Sequence, residues 1–192
     1  MNWDTFFVPY QQTVKELKIK FRALRAQYEM DGEDSPIEFV TGRVKSKASI
    51  EEKIIRRHLK EERLALDLQD IAGLRIMTKY VEDIYQVVDI LRQRTDFKIL
   101  EERDYVTNAK PSGYRSYHIV IEYPVQMYNG EKTILAEIQV RTMAMNFWAT
   151  VEHDLRYKHG EELSDDIAQR LTGLSEMTFA LDQELSEIRS LE

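Results

Sequence analysis

Two acidic residues, Asp70 and Glu137, occupy positions where a carboxylate suits a ligand better than a hydrophobic core. Asp70 directly precedes the mostly apolar segment 71–77, and Glu137 lies inside the alternating segment 135–141. Both segments have the character of β-strands. Two carboxylates presented by strands of one sheet suit a hard cation such as Mg2+, which prefers oxygen ligands and usually also binds substrate phosphates. The two residues therefore predict a magnesium-dependent reaction on a phosphorylated substrate.

The segment around Glu137 alternates strictly, as a half-buried strand does. Its residues divide between two faces, an apolar one with Ala136, Ile138 and Val140 and a largely polar one with Leu135, Glu137, Gln139 and Arg141. A carboxylate, an amide and a guanidinium group are costly to bury, so the polar face must meet water or a polar ligand. On this pattern alone, an outer strand with one hydrated face explains the alternation, and only the other polar clusters favour a ligand site.

Basic residues accompany the two acids, and they carry enough positive charge to bind a triphosphate. They are Arg43, Lys45, Lys53, Arg56 and Arg75. The sequence contains neither a GxxxxGK[ST] loop nor a GxGxxG fingerprint, so the phosphates are not expected to be held by either of those loops. Carboxylates on strands combined with dispersed bases are typical of nucleotidyltransferases. A solvated basic helix face is the alternative for the bases that follow residue 50.

Tyr114 is a candidate for stacking on a nucleotide base. It lies in the turn-rich segment 107–116, close to Gly113 and between Lys110 and Arg115. An aromatic ring presented on such a loop can stack on a base. A tyrosine packed over its own turn would produce the same sequence pattern.

Composition sets the outer limits of these predictions. A chain of 192 residues with 43% hydrophobic residues predicts one globular domain, residues 1–192, with a substantial core. The absence of cysteine excludes disulfides and thiolate zinc sites. The sequence also has no apolar run of membrane-spanning length, and together these two features predict a cytoplasmic protein without a membrane partner. The net charge of −7 arises in the acidic segment 161–192, so it does not argue against anionic ligands elsewhere.

Periodicity and turn signals predict an α+β fold with a mixed sheet of about five strands flanked by helices. The N-terminal helix covers 4–29, the catalytic core 36–158 and an acidic C-terminal helix 164–190. Ser49 is predicted to cap a helix, with Glu52 completing a capping box and basic residues as far as Lys60 in its first three turns. The remaining predicted elements are strands 38–45, 70–77, 97–105, 117–123 and 132–141, a β-α-β arrangement through helix 81–94, a hairpin turn at Asn129-Gly130, and helix 142–158.

The two terminal helices carry apolar seams that predict helix pairing between subunits. The seam of helix one comprises Phe7, Tyr10, Val14, Leu17, Phe21, Leu24 and Tyr28, and that of the last helix comprises Ile167, Leu171, Leu174, Leu181, Leu185 and Ile188. Beside the first seam lies a basic stripe, defined as Lys18, Arg22 and Arg25. An alternative function follows from it, because an RNA-binding or other nucleic-acid-binding regulatory module could use this stripe and would need neither Asp70 nor Glu137.

Several motifs in the right order resemble the synthetase domain of the RelA/SpoT family, which makes the alarmone (p)ppGpp. The resemblance covers residues 3–190 and is nearest to the small, synthetase-only RelQ type. It implies a nucleotidyltransferase-like fold. The matching stretches are Gly42-Arg43-Val44-Lys45, Ser49 to Lys53, Asp70 to Arg75, Gly113 to His118, Glu137 to Thr142, Phe147-Trp148-Ala149 and Glu152-His153.

The resemblance implies a GTP pyrophosphokinase of the stringent response. Such an enzyme transfers the β,γ-pyrophosphate of ATP to the 3′-hydroxyl of GTP or GDP and needs Mg2+. By position, Asp70 would hold the metal, and Glu137 would assist it and activate the 3′-hydroxyl. The ATP side would comprise Arg43 and Arg75 around adenine with Lys45, Ser49, Lys53 and Arg56, and the GTP side would comprise Lys110, Tyr114, His118, Gln139, Asn146 and Ala149.

The resemblance also implies a homotetramer whose central cleft binds the alarmone or single-stranded RNA. The residues expected there are Lys18, Arg22, Arg25, Phe39 and Thr41. His153-Asp154 matches the HD dipeptide of the hydrolase domain found in long family members. Because it lies inside a helix predicted to belong to the synthetase, no alarmone hydrolysis is expected.

Overall fold

A mixed sheet forms the centre of the protein in the computed structural model, which describes residues 2–158 and 163–191. Met1, residues 159–162 and Glu192 lie outside the described part of the chain. The strands are β1 (Phe39–Val44), β2 (Ala72–Thr78), β3 (Lys98–Asp104), β4 (Tyr117–Met127) and β5 (Gly130–Thr142). The helices are α1 (Trp3–Asp31), α2 (Lys47–Arg57), α3 (Leu64–Asp67), α4 (Val81–Arg92), α5 (Met143–Lys158) and α6 (Asp165–Arg189), with a 3-10 turn at Glu61–Arg63.

The five strands lie in the order β1-β2-β5-β4-β3, which confirms the α+β class and the mixed sheet. β2 and β5 pair in parallel, and the other neighbours pair antiparallel. The predicted β-α-β arrangement needs one correction, because β5 and β4 separate β2 from β3. The chain therefore leaves the centre of the sheet after β2, passes through α4 to the far edge at β3, and returns through β4 and β5.

Helix α1 packs its apolar seam against the sheet rather than against another subunit. Tyr10, Val14, Leu17 and Phe21 are buried in one cluster with the apolar residues of the strands. Gly42 permits this close approach, because a Cβ at this position would lie 2.9 Å from Val14 Cγ1. The prediction that this seam forms a subunit interface is wrong, since the hydrophobic core of the chain itself covers most of it.

Helix α2 begins three residues earlier than predicted. Ser46 is its N-cap, because it has an extended backbone and its side-chain oxygen accepts a hydrogen bond from the Ser49 amide at 3.2 Å. Ser49 is therefore the third helical residue, and the predicted capping box with Glu52 is wrong. The helix ends at Arg57, since His58 adopts the left-handed conformation with φ of 51°, so Lys60 lies outside it.

The β4–β5 hairpin is longer than predicted. Met127 pairs with Gly130, so the turn consists of Tyr128 and Asn129 and begins one residue before the predicted Asn129-Gly130 turn. Gly130 has φ of 115°, a conformation that glycine adopts without strain. The long pairing that follows fixes the register of β5 against β4 from Gly130 to Val140.

Helix α6 begins at Asp165, after its N-cap Ser164, and docks on the domain through polar contacts. Thr142 Oγ1 donates a hydrogen bond to Asp182 Oδ2 at 2.6 Å, and Arg189 pairs with Asp83 of α4 at 2.6 Å. The opposite side of α6 is apolar and exposed. This outer face of α6 comprises Leu174, Met177, Leu181, Leu185 and Ile188. Of the seam predicted on this helix, Leu171 alone is fully buried among the described residues.

None of the helices in the described ranges is long and apolar enough to cross a membrane.

The buried acid of α6 gives a prediction about pH. Burial raises the pKa of Asp182 to about 6, from an ordinary value of 3.8, although Thr142 donates a hydrogen bond to it. The protonated acid therefore stabilises the fold, and this contribution is complete below pH 3.8 and is lost as the pH rises through about 6. We expect Asp182→Asn, which keeps an oxygen for Thr142, to raise the melting temperature above pH 7 by about 2–4 °C.

Thermal unfolding followed by circular dichroism in acidic and neutral buffers measures this effect. Asp166→Asn, on the exposed first turn of the same helix, is the matched control and should show no such pH dependence. A melting temperature that Asp182→Asn lowers equally in both buffers would contradict the prediction.

Candidate active site

The polar face of the sheet presents two adjacent rows of side chains. Directly paired residues of neighbouring strands point to the same face, and residues two apart on one strand do so as well. The register therefore places Arg43, Gly73 and Glu137 in one row, and Thr41, Arg75, Gln139 and His118 in the next. Helix α1 covers the opposite, apolar face, so the two rows remain open to a ligand.

A cavity of about 210 Å³ opens over these rows. Gly73 forms part of its floor, because a Cβ at this position would meet only the Arg43 carbonyl oxygen, at 3.7 Å, and would otherwise enter the cavity. Both predicted catalytic acids line it. The full lining is Thr41, Gly42, Arg43, Lys45, Asp70, Gly73, Leu74, Arg75, Glu137 and Gln139.

Two lysines hold Asp70 at the edge of this cavity. Lys53 Nζ lies 2.8 Å from Asp70 Oδ1, and Lys45 Nζ lies 2.9 Å from Asp70 Oδ2. Burial alone would raise the pKa of Asp70, but the two ammonium groups outweigh it and hold that pKa below its usual range. Asp70 is therefore ionised, and each lysine that was predicted to contact phosphate is paired with it.

Positive charge converges on the other side of the cavity. Burial, together with the neighbouring charges of Arg141 and Arg43, lowers the pKa of Arg75. Guanidinium groups that oppose one another in this way are stabilised by an anion between them. Ser49 and Arg56 lie along α2 and are not cavity-lining residues in the described structure, and Arg56 is exposed in the last turn.

Glu137 belongs to a closed ring of five hydrogen-bonded side chains. His118 Nδ1 lies 3.0 Å from Glu137 Oε1, and His118 Nε2 lies 2.8 Å from the Tyr114 hydroxyl. Arg141 donates to that hydroxyl and, at 2.7 Å, to Gln139 Oε1. Gln139 Nε2 closes the ring by donating to Glu137 Oε2 at 2.8 Å. All five side chains are thereby fixed relative to one another.

The directions of these hydrogen bonds determine the form of each group. Arg141 can only donate, so the Tyr114 hydroxyl and Gln139 Oε1 accept from it. The Gln139 amide nitrogen also only donates, and an ionised Glu137 carboxylate accepts on both of its oxygens. Burial alone would raise the pKa of Glu137, but the hydrogen bonds from His118 and Gln139 lower it on balance. A Tyr114 hydroxyl that accepts from Arg141 donates to His118 Nε2, which leaves the histidine proton on Nδ1.

Tyr114 and Lys110, two residues expected near an acceptor nucleotide, lie together at the end of the ring. The Lys110 ammonium lies 4.5 Å from the ring centre of Tyr105 and 5.0 Å from that of Tyr114. A base that stacked on this face of Tyr114 would displace the ammonium group. Asn146 accepts from Arg141 at 3.4 Å, and Ala149 is buried in the small apolar cluster against which Tyr114 packs.

The acids present fit a divalent cation that takes part of its ligands from a substrate. Asp70 and Glu137 face one cavity, and no group of three or more histidine or acidic side chains suited to a metal occurs in residues 2–158 and 163–191. Magnesium is commonly held by one or two carboxylates together with water and substrate phosphates. Asp70 is paired with Lys45 and Lys53, and Glu137 accepts a hydrogen bond from His118; a cation would replace these partners in part.

The structure adds residues that sequence reasoning left without a role. Arg141 is only 3% exposed, and it bridges Tyr114, Gln139 and Ser116. Strand alternation placed Arg141 on the polar face, but the pattern gave no sign of its partners. Thr41, predicted for a regulatory site, lines the cavity.

The basic stripe lies against the edge strand β1 and contributes to the fold. Arg22 donates to the Val40 carbonyl oxygen at 3.3 Å, Arg25 donates to that of Glu38, and Gly42 lies beside the Lys18 side chain. Two of the three stripe residues thus contact the backbone at or directly before β1. Phe39 is exposed beside it.

The His153-Asp154 dipeptide lies on the outer side of α5, away from the cavity. Both side chains are exposed, and His153 Nδ1 lies 3.8 Å from Asp154 Oδ1. The dipeptide thus lies within the helix that follows β5, as predicted.

Comparisons with known proteins place this geometry in a family. Residues 42–162 match the region found in RelA/SpoT proteins. The GTP pyrophosphokinase YjbM of Bacillus subtilis (strain 168) is 51% identical over 188 residues, which cover 98% of this chain and 89% of that protein. The crystal structure of small alarmone synthetase 1 from Bacillus subtilis bound to its product pppGpp has a TM-score of 0.95 at 50% identity and covers 98% of this chain and 96% of that one. The structure of that synthetase bound to AMPCPP has a TM-score of 0.87 at 47% identity, with coverage of 98% and 96%.

The hydrogen-bond ring predicts the tautomer of His118. At pH 8, where histidine is ordinarily neutral, we expect its Nδ1 to carry the proton because Glu137 accepts from it. Two-dimensional 15N NMR of the imidazole nitrogens measures this, with the His118 signals assigned by their loss in His118→Gln. Exposed His153 supplies the reference signals within the same spectrum. A proton on Nε2 of His118 would contradict the ring as described.

Proposed function

The chain belongs to the RelA/SpoT family, and we propose that it is a GTP pyrophosphokinase that makes (p)ppGpp from ATP and GTP or GDP. Its full-length likeness to YjbM and to small alarmone synthetase 1 supports this activity. The observation that carries the proposal in this chain is the single cavity that joins Asp70, Glu137 and several bases. A cytoplasmic location would follow from these substrates.

We assign the ATP side to the β1–β2 end of the cavity. Arg43 and Arg75 approach each other there, and a planar adenine between two guanidinium groups would be held by stacking on both faces. The phosphates would then extend toward Lys45 and Lys53. Because these lysines bind Asp70 in the free protein, nucleotide binding would transfer their charge from a carboxylate to the phosphates.

The acceptor nucleotide would lie at the other end, over the hydrogen-bond ring. Tyr114 would stack on guanine, with Lys110, His118, Gln139, Asn146 and Ala149 around the acceptor. The 3′-hydroxyl oxygen would form a bond to the β-phosphorus of ATP, and the bond from that phosphorus to the AMP oxygen would break. Glu137 is the base that would accept the hydroxyl proton, since its lowered pKa keeps it ionised. His118 and Gln139 hold this carboxylate in place.

We propose Mg2+ as the cofactor, held by Asp70 and Glu137. When bound, it would neutralise charge on the transferred phosphates, as in other phosphoryl transfers. The residues that approach the phosphates complete this compensation, because a pyrophosphoryl group carries more negative charge than one cation offsets.

We propose that the protein assembles into a homo-oligomer, with a homotetramer as the expected form. The outer face of α6 supports this assembly. Its five exposed apolar side chains lie along one side of the helix at helical spacing, and Met143 and Phe147 of neighbouring α5 are exposed as well. Contiguous apolar surface of this kind usually marks an interface. The seam of α1 contributes nothing to this argument, since the core covers it.

We further propose that the basic stripe mediates activation by the alarmone product. Arg22 binds a carbonyl oxygen of β1, and Arg25 binds that of Glu38, the residue directly before this strand, which also places Arg43 in the cavity. An alarmone bound at the stripe and Phe39 would change these contacts and so the position of β1, provided that it binds the active form more tightly. Single-stranded RNA is the other ligand considered for this surface.

The central experiment is incubation of the protein with magnesium, ATP and GTP, followed by chromatographic separation of the nucleotides. We expect AMP and pppGpp in equal amounts, and none with EDTA. Glu137→Gln should reduce the rate about 10²–10³-fold, because the catalytic base is lost. In addition, one hydrogen-bond donor of the ring would face the new amide nitrogen, which cannot accept. Glu152→Gln, on α5, is the control. Near-normal turnover in Glu137→Gln, or no pppGpp from the wild type, would refute the assignment.

The stripe gives a separate prediction. Added pppGpp should increase the initial rate of the wild type and should not do so in Lys18→Ala/Arg25→Ala, while light scattering reports a tetramer for both. Lys15→Ala removes an exposed charge on the same helix outside the stripe and should respond like the wild type.

Equal stimulation of the double variant would remove the regulatory role of the stripe. A monomeric wild type would overturn the proposed assembly. Binding of a single-stranded oligonucleotide without any effect of pppGpp would favour the RNA alternative.

A further inference from the structure

One side of α6 lies along the loop that carries Lys110 and Tyr114. Four residues of the helix face this loop or its apolar support at helical spacing: Leu171, Thr172, Ser175 and Phe179. The matched RelA/SpoT region ends at residue 162, before this helix begins. The helix therefore supplies contacts to the proposed acceptor site from outside that region.

The closest of these contacts joins Ser175 to Gly113. The Ser175 hydroxyl, which is buried, donates to the Gly113 carbonyl oxygen. A Cβ at Gly113 would lie 2.7 Å from Ser175 Cβ and 3.4 Å from Thr172 Cα, so only glycine lets the loop backbone lie directly on the helix. Gly113 also has φ of 89°, which other residues adopt only with strain.

The loop itself is a short closed turn. The Gly113 amide donates to the Lys110 carbonyl oxygen at 2.8 Å, and the Lys110 amide donates to the Tyr114 carbonyl oxygen at 3.1 Å. These two bonds fix Lys110 relative to Tyr114 but do not connect the turn to the helix beside it. The contact with Ser175 supplies that connection at the residue directly before Tyr114.

Neighbouring contacts act in the same direction. The Thr172 hydroxyl lies 3.4 Å from the Ser112 carbonyl oxygen, and the Arg115 guanidinium lies 3.9 Å from the ring centre of Phe179. Leu171 packs with Trp148 in the cluster that supports the Tyr114 ring. Helix α6 thus holds the segment 112–115 from one side. On its other side, the Tyr114 hydroxyl is bonded into the ring that contains Glu137.

We propose that Ser175 is a positioning residue for the acceptor nucleotide. Through the Gly113 carbonyl it holds the turn so that Tyr114 and Lys110 are pre-organised for guanine, without touching the nucleotide itself. This inference rests on the proposed function and extends it to a helix for which the reaction itself provides no role. A turn held in its binding conformation loses less entropy when the nucleotide binds.

The test compares Ser175→Ala with Thr178→Ala, which removes a hydroxyl that donates to the Leu174 carbonyl of the same helix. Initial rates are measured with GTP varied at saturating ATP and with ATP varied at saturating GTP. One lost hydrogen bond predicts that Ser175→Ala raises KM for GTP by about three- to ten-fold. KM for ATP, kcat and the melting temperature should stay near those of Thr178→Ala. Tyr114→Ala serves as the reference for a direct loss of stacking and should raise KM for GTP at least as much.

Amide hydrogen exchange of the protein without nucleotide provides an independent readout. Mass spectrometry of a peptide covering 105–117 should show faster exchange in Ser175→Ala than in Thr178→Ala. Unchanged exchange and an unchanged KM for GTP would refute the role of Ser175, and equal rises in both Michaelis constants would show a general structural defect instead. A wild type without synthetase activity would refute the proposed function, while the exchange result would still decide whether Ser175 holds the turn.

Discussion

The parallel pairing of β2 with β5 is the constraint on which the rest of the site depends. It places Gly73 opposite Glu137 and Arg75 opposite Gln139 on one face of the sheet. Because Asp70 directly precedes this stretch, the same pairing brings the second acid to the edge of the cavity. β1 and β4 extend the two rows on either side, so four strands contribute to one surface. A shift of β5 by one residue would turn Glu137 into the apolar core and Ile138 toward the ligand.

Charge compensation makes this arrangement stable without a ligand. An unpaired carboxylate is costly to bury, and both acids have partners: Asp70 has two lysines, and Glu137 has a histidine and an amide. The two sets of partners differ in how easily a ligand could displace them. The lysines are on long, flexible side chains that can pass to phosphate, whereas the partners of Glu137 are bonded into a ring, and His118 among them is buried. The free protein thus holds one acid ready to be exchanged and the other in a fixed position.

Much of this could be read from the sequence, because the information was local. Strict alternation around Glu137 identified a half-buried strand, and the order of strands and helices followed from periodicity and turns. The start of α2 was misplaced because Ser46 and Ser49 carry the same capping group, and only backbone conformation distinguishes them. The seam of α1 and the basic stripe were misjudged for a different reason. Periodicity shows which side chains share a face, but not that the face packs against the sheet or that Arg22 and Arg25 donate to carbonyl oxygens on β1 and directly before it. The contact of Ser175 with Gly113 joins residues far apart in the chain, and no local pattern predicts it.

The most direct test of the account is a crystal structure of the protein with magnesium, a nonhydrolysable ATP analogue and GDP. The account predicts the adenine between Arg43 and Arg75, the phosphates on Lys45 and Lys53, and Asp70 released from at least one of these lysines. The guanine would stack on Tyr114, with its ribose 3′-hydroxyl directed at Glu137. Nucleotides bound outside the cavity, with both lysine–Asp70 pairs intact, would contradict it.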